Sequence, residues 1–441
     1  MKRVIGFILI LIGINFGFSQ FTISGEVDNY NNEYIFIYEK GVVDNDFIAK
    51  IQTDNKGKFS YTFQNKFEGI LSLLFEKESL MKELISDNSN INFKANIEDR
   101  TLNFITIDNK SNELLIKYQE TETNLEKLSY LEELIKLYKN NSLFKTKLQD
   151  EINLLKKTNI PVIEENSFIK YYIDIKKLVE LEILNESDTK NLKDNLAYKI
   201  INDGENLEKS GYLYSLILNY FNTSVVGSKN LKEQQDIVKT ALDYLLAETD
   251  IESSRGQNIV LAATKVFSTY PKYFSKLHTE YLGKVSELKC KISPELEKAI
   301  KINNNLGIGK EFPEITFSEV KNGKYKTINE IPATYKLIIV WASWCGHCNE
   351  EKPGLIEYYP EFKNLGGEFI SLSVESNKEE YLKFHNGINW IHDSDLLYWS
   401  SKNLEILNIT GTPTIFLLDK DNVLLETFSK VSKLKEFLAK K

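Results

Sequence analysis

Apolar and polar residues alternate along the first part of the chain, from about residue 20 to residue 107. A period of two is typical of β-strands that bury one face. The alternating runs are Phe21–Val27, Tyr34–Tyr38, Phe59–Phe63, Ile91–Ala95 and Leu102–Ile107. Turn-forming residues at Asp54–Gly57 separate two of these runs. We therefore expect an all-β domain over residues 20–107, folded as a small sandwich or a partly open barrel. It has no histidine or cysteine, which favours a binding or spacer module.

The period changes to that of amphipathic helices between about residues 108 and 305. Leu125, Leu128, Leu131 and Ile135 have this spacing, with lysines and glutamates between them. Similar stretches lie at Ile169–Leu181, Tyr212–Tyr220, Ile237–Leu246 and Val260–Phe267. We predict an α-helical region of about seven to nine helices, whose aromatic residues form a core rather than a cofactor site.

Residues 306–441 show a third pattern, in which strands and helices are mixed. Leu337–Trp341 is apolar at every position, as expected for a central strand buried on both faces. A helix is predicted directly after it, over Cys345–Leu365. The other predicted elements are strands at Glu368–Val374, Thr414–Leu418 and Val423–Phe428, and helices at Lys378–Phe384, Leu396–Leu407 and Val431–Ala439. This part is expected to be an α/β domain.

Residues 1–19 have the pattern of a cleaved signal peptide. Lys2 and Arg3 precede the apolar stretch Val4–Ile14, and small and polar residues follow up to Ser19. The stretch is shorter than the ~20 apolar residues of a membrane span. No cysteine lies near the predicted cleavage site, which excludes lipid attachment there. We expect an exported, soluble protein; a buried N-terminal strand or helix is the alternative.

Charge and composition exclude further classes of protein. The formal net charge is −8, and Arg3, Arg100 and Arg255 are the only arginines. Proteins that read nucleic acids need a basic and usually arginine-rich surface, so no nucleic-acid partner is expected. The 42% of hydrophobic residues is too high for general disorder. The chain is therefore expected to fold into globular domains.

The candidate chemistry lies in the segment Trp344–Cys348, at the junction of the buried strand and the following helix. Two residues between the cysteines allow a small disulfide ring, and the positive end of the helix dipole stabilises a thiolate at Cys345. Cys345 is therefore the predicted nucleophile and Cys348 the resolving thiol. The alternative, a zinc half-site, needs two more ligands. The third cysteine, Cys290, lies in the helical region, as an inert packed thiol or a reactive odd one.

A proline in the segment Gly411–Thr414 introduces a later strand. Proline at such a position suggests a cis peptide bond between Thr412 and Pro413. This would expose the Thr412 backbone for pairing with an extended substrate beside Cys345. The alternative is an ordinary trans proline at the start of an edge strand.

These motifs together resemble the thioredoxin superfamily, specifically the TlpA/ResA-like envelope thiol-disulfide oxidoreductases. The resemblance covers about residues 311–441 and is carried by Phe312–Ile315, Val340–Cys348, Glu351, Pro353 and Gly411–Thr414. The β segment resembles an uncharacterised domain found ahead of such domains, and the helical region matches no family that we can name.

The resemblance implies roles for particular residues. Cys345 would attack, Cys348 would resolve with formation of a Cys345–Cys348 disulfide, and Glu351 would transfer protons, although a solvated helix face is the alternative for Glu351. The residues implied to contact substrate are Trp344, Gly346, His347, Thr412 and Pro413. The implied partners are protein thiols and disulfides of the periplasm or cell envelope and an unidentified membrane electron donor or acceptor. No cofactor and no metal are implied.

Two departures from the family pattern leave the direction of electron flow open. The dipeptide Gly346–His347 resembles that of protein disulfide isomerase, so reductase, isomerase and oxidase remain possible. The buried aspartate of cytoplasmic thioredoxins is replaced by Ile339. Two further alternatives are a thiol peroxidase, which needs a threonine where this chain has Ala342, and a binding protein with a vestigial redox domain.

Overall fold

The computed structural model describes residues 20–138, 142–180, 186–288, 291–318, 323–409 and 411–438. The predicted signal peptide and Cys290 lie outside these residues. The chain forms two compact units, Met1–Leu245 and Leu246–Lys441. The boundary lies within the helix Leu231–Thr249, so the predicted helical region contributes to both units. The domain limits 20–107, 108–305 and 306–441 stay predictions.

The first unit begins with two four-stranded sheets, which confirms the expected β region. Its strands are β1 (Phe21–Asp28), β2 (Tyr34–Lys40), β3 (Asn45–Gln52), β4 (Lys58–Phe63), β5 (Glu68–Phe75), β6 (Leu80–Asp87), β7 (Ile91–Glu98) and β8 (Thr101–Asp108). The strand orders are β4-β1-β7-β8 and β3-β2-β5-β6. Side chains of both sheets, such as Ile23 and Leu71, share one hydrophobic core, so the two sheets form a sandwich.

Helices cover the second face of the β3-β2-β5-β6 sheet. Ile70 and Ile85 point away from the sandwich core and pack with Leu115 and Tyr172. Buried on both faces, β5 has an almost continuous apolar sequence, whereas β1 alternates because only one of its faces is buried.

The helical region is confirmed, although its described residues contain ten α-helices rather than the predicted seven to nine. Its described helices are α1 (Lys110–Leu134), α2 (Leu143–Leu155), α3 (Phe168–Glu180), α4 (Glu186–Asn202), α5 (Asn206–Ser210), α6 (Leu213–Ser224), α7 (Leu231–Thr249), α8 (Ser254–Thr269), α9 (Pro271–Ser286) and α10 (Pro294–Asn305). Within the described ranges, no helix is both long enough and apolar enough to cross a membrane.

The C-terminal part of the second unit contains a five-stranded mixed sheet. Its strands are β9 (Tyr335–Trp341), β10 (Gly367–Ser373), β11 (Ile391–Asp393), β12 (Thr414–Asp419) and β13 (Leu424–Phe428), in the order β11-β10-β9-β12-β13. Its helices are α11 (Gly346–Asn364), α12 (Lys378–Phe384), α13 (Lys402–Ile406) and α14 (Val431–Leu438). Strand β9 is central and its residues 337–341 are fully buried, as predicted from their apolar sequence.

One predicted helix, over Leu396–Leu407, is wrong for its first half. Leu396 and Tyr398 have φ angles of 58° and 55°, in the left-handed region, and the helix α13 is limited to five residues. The backbone N–H of Tyr398 donates to the carbonyl of Glu375 (3.1 Å), and that of Leu396 donates to Ser394 Oγ (3.2 Å). These tertiary and local hydrogen bonds take the place of the hydrogen bonds that a helix would form within this segment.

Candidate active site

The two cysteines lie at the N-terminus of α11, which begins shortly after the central strand β9. Cys345 is the N-cap residue of this helix, and its Sγ accepts the backbone N–H of Cys348 at 3.3 Å. The structure pairs Cys345 with Cys348 in a disulfide, with 5.2 Å between the Cα atoms. One local element therefore places both sulfur atoms, because a spacing of three residues spans one helical turn.

The two cysteine residues differ in their exposure to solvent. Cys345 retains 7% of its surface, whereas Cys348 is fully buried. The N–H of Cys348 and the positive end of the α11 dipole both favour negative charge on the sulfur of Cys345. Cys345 is thus the more exposed of the two cysteines and the one whose thiolate the helix N-terminus stabilises.

The loop at Pro413 lies beside Cys345, and the Thr412–Pro413 peptide bond is cis, as predicted. The carbonyl oxygen of Thr412 lies 3.4 Å from Cys345 Sγ. The register of β12 on β9 explains this proximity, because Thr414 pairs with Val340 near the end of β9 that leads to the cysteines. The structure therefore brings together two motifs that are more than sixty residues apart in the sequence.

The remaining residues implied to contact substrate surround Cys345 in the sequence. The indole N–H of Trp344 donates to the carbonyl of Val374 (2.9 Å), and 45% of this residue is exposed. Gly346 is exposed, and the side chain of His347 is 83% exposed, with its Nδ1 3.3 Å from Glu350 Oε2. Solvent therefore screens an interaction between His347 and Glu350 more than it would screen a buried pair.

Glu351 is engaged with another helix. Its Oε2 accepts the backbone N–H of Val431 at 2.8 Å, which caps the N-terminus of α14. Within the described part of the chain, no hydrogen bond joins Glu351 to either cysteine. The observed role of Glu351 is to tie α11 to α14.

Lys352 is the group near the cysteines whose pKa is shifted. Burial lowers the pKa of Lys352 below its ordinary value. Its ammonium donates to the carbonyl of Phe384 and lies 4.4 Å above the Phe384 ring centroid. This charge is bound at the C-terminus of α12, where the helix dipole favours a cation.

Sequence reasoning missed a buried carboxylate, that of Glu375. Glu375 is 1% exposed, and its carboxylate accepts the backbone N–H of Ser343 (2.5 Å) and the hydroxyl of Ser343 (3.0 Å). Ser343 lies two residues before Cys345, so Glu375 holds the segment that leads into the cysteine pair. A sequence signal existed, since Glu375 follows the predicted strand Glu368–Val374 and the carboxyl ends of neighbouring parallel strands meet at one edge.

A second buried polar cluster lies at the end of β9, around Trp341. The indole N–H of Trp341 donates to His385 Nε2 (3.2 Å), and His385 Nδ1 lies 2.8 Å from the carbonyl of Tyr381. A carbonyl only accepts, so His385 donates through Nδ1 and is neutral. His392 stacks on His385 with ring centroids 4.3 Å apart. In the described ranges, no group of three or more histidine, cysteine, aspartate or glutamate side chains is arranged to hold a metal ion.

Comparisons with known proteins agree with this geometry. A family model described as thioredoxin-like matches residues 333–424. The thiol-disulfide oxidoreductase ResA of Bacillus cereus (strain ZK / E33L) is 28% identical over 124 residues, which are 27% of this chain and 68% of that protein. ResA of Bacillus subtilis (strain 168) is 24% identical over 118 residues, which are 26% of this chain and 62% of that protein.

Solved structures of similar domains were also found. The thioredoxin domain of a thiol-disulfide oxidoreductase from Bacteroides vulgatus is 23% identical, with a TM-score of 0.28, and the match covers 31% of this chain and 98% of that one. A domain of a possible thiol-disulfide isomerase from Cytophaga hutchinsonii is 26% identical, with a TM-score of 0.28, and the match covers 31% of this chain and 95% of that one.

The family match lies on the sheet and helices that hold the cysteine pair, and the curated relatives are named for disulfide chemistry. The C-terminal part of this chain is therefore a thioredoxin-like domain of the thiol-disulfide oxidoreductase type, similar to ResA.

Proposed function

We propose that this protein exchanges disulfides with protein substrates in the cell envelope, with Cys345 as the attacking thiolate and Cys348 as the resolving thiol. The observation that carries the proposal is the asymmetry of the pair. Cys345 is the partly accessible N-cap of α11 and accepts an N–H bond on its sulfur, whereas Cys348 is fully buried one turn later.

The reduction of a substrate disulfide proceeds in two exchanges. The Cys345 thiolate attacks one substrate sulfur, forms a mixed disulfide and releases the other substrate sulfur as a thiolate, which takes up a proton. The Cys348 thiolate then attacks Cys345 Sγ, forms the Cys345–Cys348 disulfide and releases the substrate as a dithiol. Two electrons pass from the protein to the substrate, and the same steps in reverse oxidise a dithiol.

The cis-proline loop is the proposed substrate guide. The carbonyl of Thr412 lies 3.4 Å from the attacking sulfur, so an extended substrate that pairs with the Thr412 backbone would have its own sulfur near Cys345. Trp344, Gly346, His347 and Pro413 complete the proposed contact surface.

Glu351 is proposed to transfer protons at the cysteine pair, as the resemblance implies. Glu351→Gln tests this separately from its capping role, because a glutamine oxygen still accepts the N–H of Val431. The variant should lose one ionisation from the pH profile of the resolving step. An unchanged profile would restrict Glu351 to capping α14.

The proposed location rests on the sequence of residues 1–19, in which Lys2 and Arg3 precede an apolar stretch. An exported oxidoreductase needs a source or sink of electrons outside the cytoplasm. We propose a membrane electron donor or acceptor for this purpose.

Trapping tests the roles of the two cysteines. In a Cys290→Ser background, which removes the remaining thiol, Cys348→Ser should accumulate a mixed disulfide with insulin, because no resolving thiol is present. Cys345→Ser should form no such complex and should lose insulin reduction. Non-reducing electrophoresis and mass spectrometry measure both. If Cys345→Ser still forms the complex and Cys348→Ser does not, the assignment is wrong.

Disulfide isomerisation or oxidation is the second candidate function, favoured by Gly346–His347 between the cysteines. The equilibrium potential of the pair against glutathione separates the candidates. A potential near about −270 mV is typical of a reductant, and one near about −180 mV is typical of an isomerase.

A further inference from the structure

Three aromatic rings meet next to the attacking cysteine. The ring centroid of Trp344 lies 5.4 Å from that of Tyr398 and 5.9 Å from that of Trp399, and the latter two are 6.1 Å apart. We call Trp344, Tyr398 and Trp399 the aromatic surface. Trp344 is 45% exposed, and Tyr398 and Trp399 are partly exposed. Part of this apolar surface is therefore exposed to solvent beside Cys345, where a binding partner can contact it.

The aromatic surface is fixed in position by the residues that follow β10. The indole N–H of Trp344 donates to the carbonyl of Val374 (2.9 Å), and the backbone N–H of Tyr398 donates to the carbonyl of Glu375 (3.1 Å). The Glu375 carboxylate also holds Ser343, next to Trp344. Trp344 and Tyr398, which are distant in the sequence, are thus held by two adjacent residues, Val374 and Glu375. Such a surface is preorganised, and little ordering opposes binding to it.

The segment that carries Tyr398 and Trp399 has an unfavourable backbone. Leu396 and Tyr398 have φ angles of 58° and 55°, which crowd a side chain that has a β-carbon. Tyr398 and Trp399 pack against the core of the domain but keep part of their surface exposed, and Leu396 and Leu397 are also only partly buried. Strained backbone that persists next to a reactive group points to a functional use of the segment.

We propose that the aromatic surface binds an aromatic or large aliphatic side chain next to the substrate cysteine. The proposal rests on the proposed function and names its substrate class: extended polypeptides whose cysteine has a bulky apolar neighbour. Attack by Cys345 brings the substrate sulfur within about 2.05 Å of Cys345 Sγ, and the next substrate residue is only about 3.3–3.6 Å further along the chain. That neighbour reaches the surface around Trp344, where an aromatic ring packs edge-on or offset against the others.

Two peptides test this preference. Each carries one cysteine in a mixed disulfide with glutathione, and the residue beside the cysteine is phenylalanine in one and glycine in the other. The reduced full-length protein attacks the peptide sulfur through Cys345 and releases glutathione as a thiol. Cys348 then releases the peptide thiol, so that one protein dithiol becomes one disulfide. Acid quenching and mass spectrometry give the rate of each reaction, and we expect the phenylalanine peptide to react about tenfold faster.

Substitutions at Tyr398 test whether the aromatic surface causes the preference for the phenylalanine peptide. Tyr398→Asn removes the ring, and asparagine tolerates the left-handed backbone, so the ratio of the two rates should fall to about twofold or less. Tyr398→Phe keeps the ring and should keep the ratio. Leu365→Ala, which truncates an exposed side chain just beyond the far end of α11, is the matched control and should also keep it. Trp399→Leu is a second variant should Tyr398→Asn fail to fold, and it should lower the ratio in the same way.

The outcomes separate the two proposals. A wild-type protein that reduces neither peptide overturns the proposed function and, with it, the aromatic surface. A wild-type protein that reduces both peptides equally, or a folded Tyr398→Asn variant with an unchanged ratio, overturns the aromatic surface alone.

Discussion

At the scale of single residues, His347 lies between Cys345 and Cys348. A substitution of His347 can test how its side chain affects the redox properties of the cysteine pair. His347 is 83% exposed, and its imidazole lies at the first turn of α11. A hydrogen-bonding or charged imidazole there favours the Cys345 thiolate and so stabilises the reduced pair.

We predict that His347→Pro makes the reduction potential more negative by about 30 mV, equivalent to about 1.4 kcal/mol for two electrons. Proline offers no donor at this position, so the reduced pair loses stabilisation. Equilibration with glutathione, followed by the fluorescence of Trp344 and the other tryptophans, measures the shift. His347→Gln, which keeps a hydrogen-bonding side chain, is the control. An unchanged potential in His347→Pro would show that other surroundings determine it.

The buried carboxylate of Glu375 holds Ser343, two residues before Cys345, in position. We predict that Glu375→Leu lowers the free energy of unfolding of the second unit by about 1–3 kcal/mol, because the buried N–H and hydroxyl of Ser343 lose their acceptors. Glu375→Gln keeps one acceptor and should lose less.

Urea denaturation followed by tryptophan fluorescence measures the effect of Glu375→Leu. This probe reports on the second unit, since all four tryptophans lie between residues 341 and 399. Glu379→Leu, on an exposed position of α12, is the control. Equal losses in the Glu375 and Glu379 variants would contradict the role of Glu375.

At the scale of elements, a partly buried carboxylate, that of Glu83, joins the β3-β2-β5-β6 sheet of the first unit to the helix α3. Glu83 on β6 forms an ion pair with Lys40 on β2 (2.6 Å) and accepts the hydroxyl of Tyr172 on α3 (2.5 Å). Burial raises the pKa of Glu83, but the Lys40 ammonium and the hydrogen bonds from Lys40 and Tyr172 outweigh it and lower the pKa below its ordinary value. A pKa that is lower in the folded state means that the fold stabilises the ionised carboxylate of Glu83 relative to the unfolded chain.

We predict that the first unit is stabilised by Glu83 above about pH 4.3, the ordinary value for glutamate, and loses this stability as the pH falls through the lowered pKa. Glu83→Gln should remove this part of the pH dependence. Far-UV circular dichroism during denaturation at several pH values measures it, with Glu78→Gln as the control. The same slope in wild type and Glu83→Gln would contradict the prediction.

One strand that the sequence pattern missed and one helix that it predicted wrongly have physical explanations. Strand β5 is buried on both faces, so its sequence does not alternate, and Ser72 interrupts the continuous apolar run that would have identified it as β9 was identified. The helix predicted over Leu396–Leu407 has suitable spacing, but Tyr398 is bound to Glu375, more than twenty residues away. Local patterns contain no information on such contacts.

At the scale of the whole molecule, export remains the main prediction from sequence. We predict that the protein produced in a bacterium with two membranes is found in the periplasm with Gln20 as its first residue, within one or two positions. Intact-mass measurement of the fractionated protein tests this. A substitution of Leu11 by lysine, which interrupts the apolar stretch, should retain the protein in the cytoplasm. A periplasmic protein that keeps Met1 would contradict cleavage.

The cysteine chemistry was determined by the sequence itself, because Cys345 and Cys348 are three residues apart and one helical turn places them together. The central strand β9 was equally predictable, since burial on both faces requires the continuous apolar run that the chain has. The tertiary structure alone decided that Glu375 holds Ser343 and that Tyr398 and Trp399 reach Trp344. These contacts join residues that are 32 positions apart for Ser343 and Glu375 and more than fifty apart for the aromatic rings, so they depend on how strands and loops pack rather than on any local period.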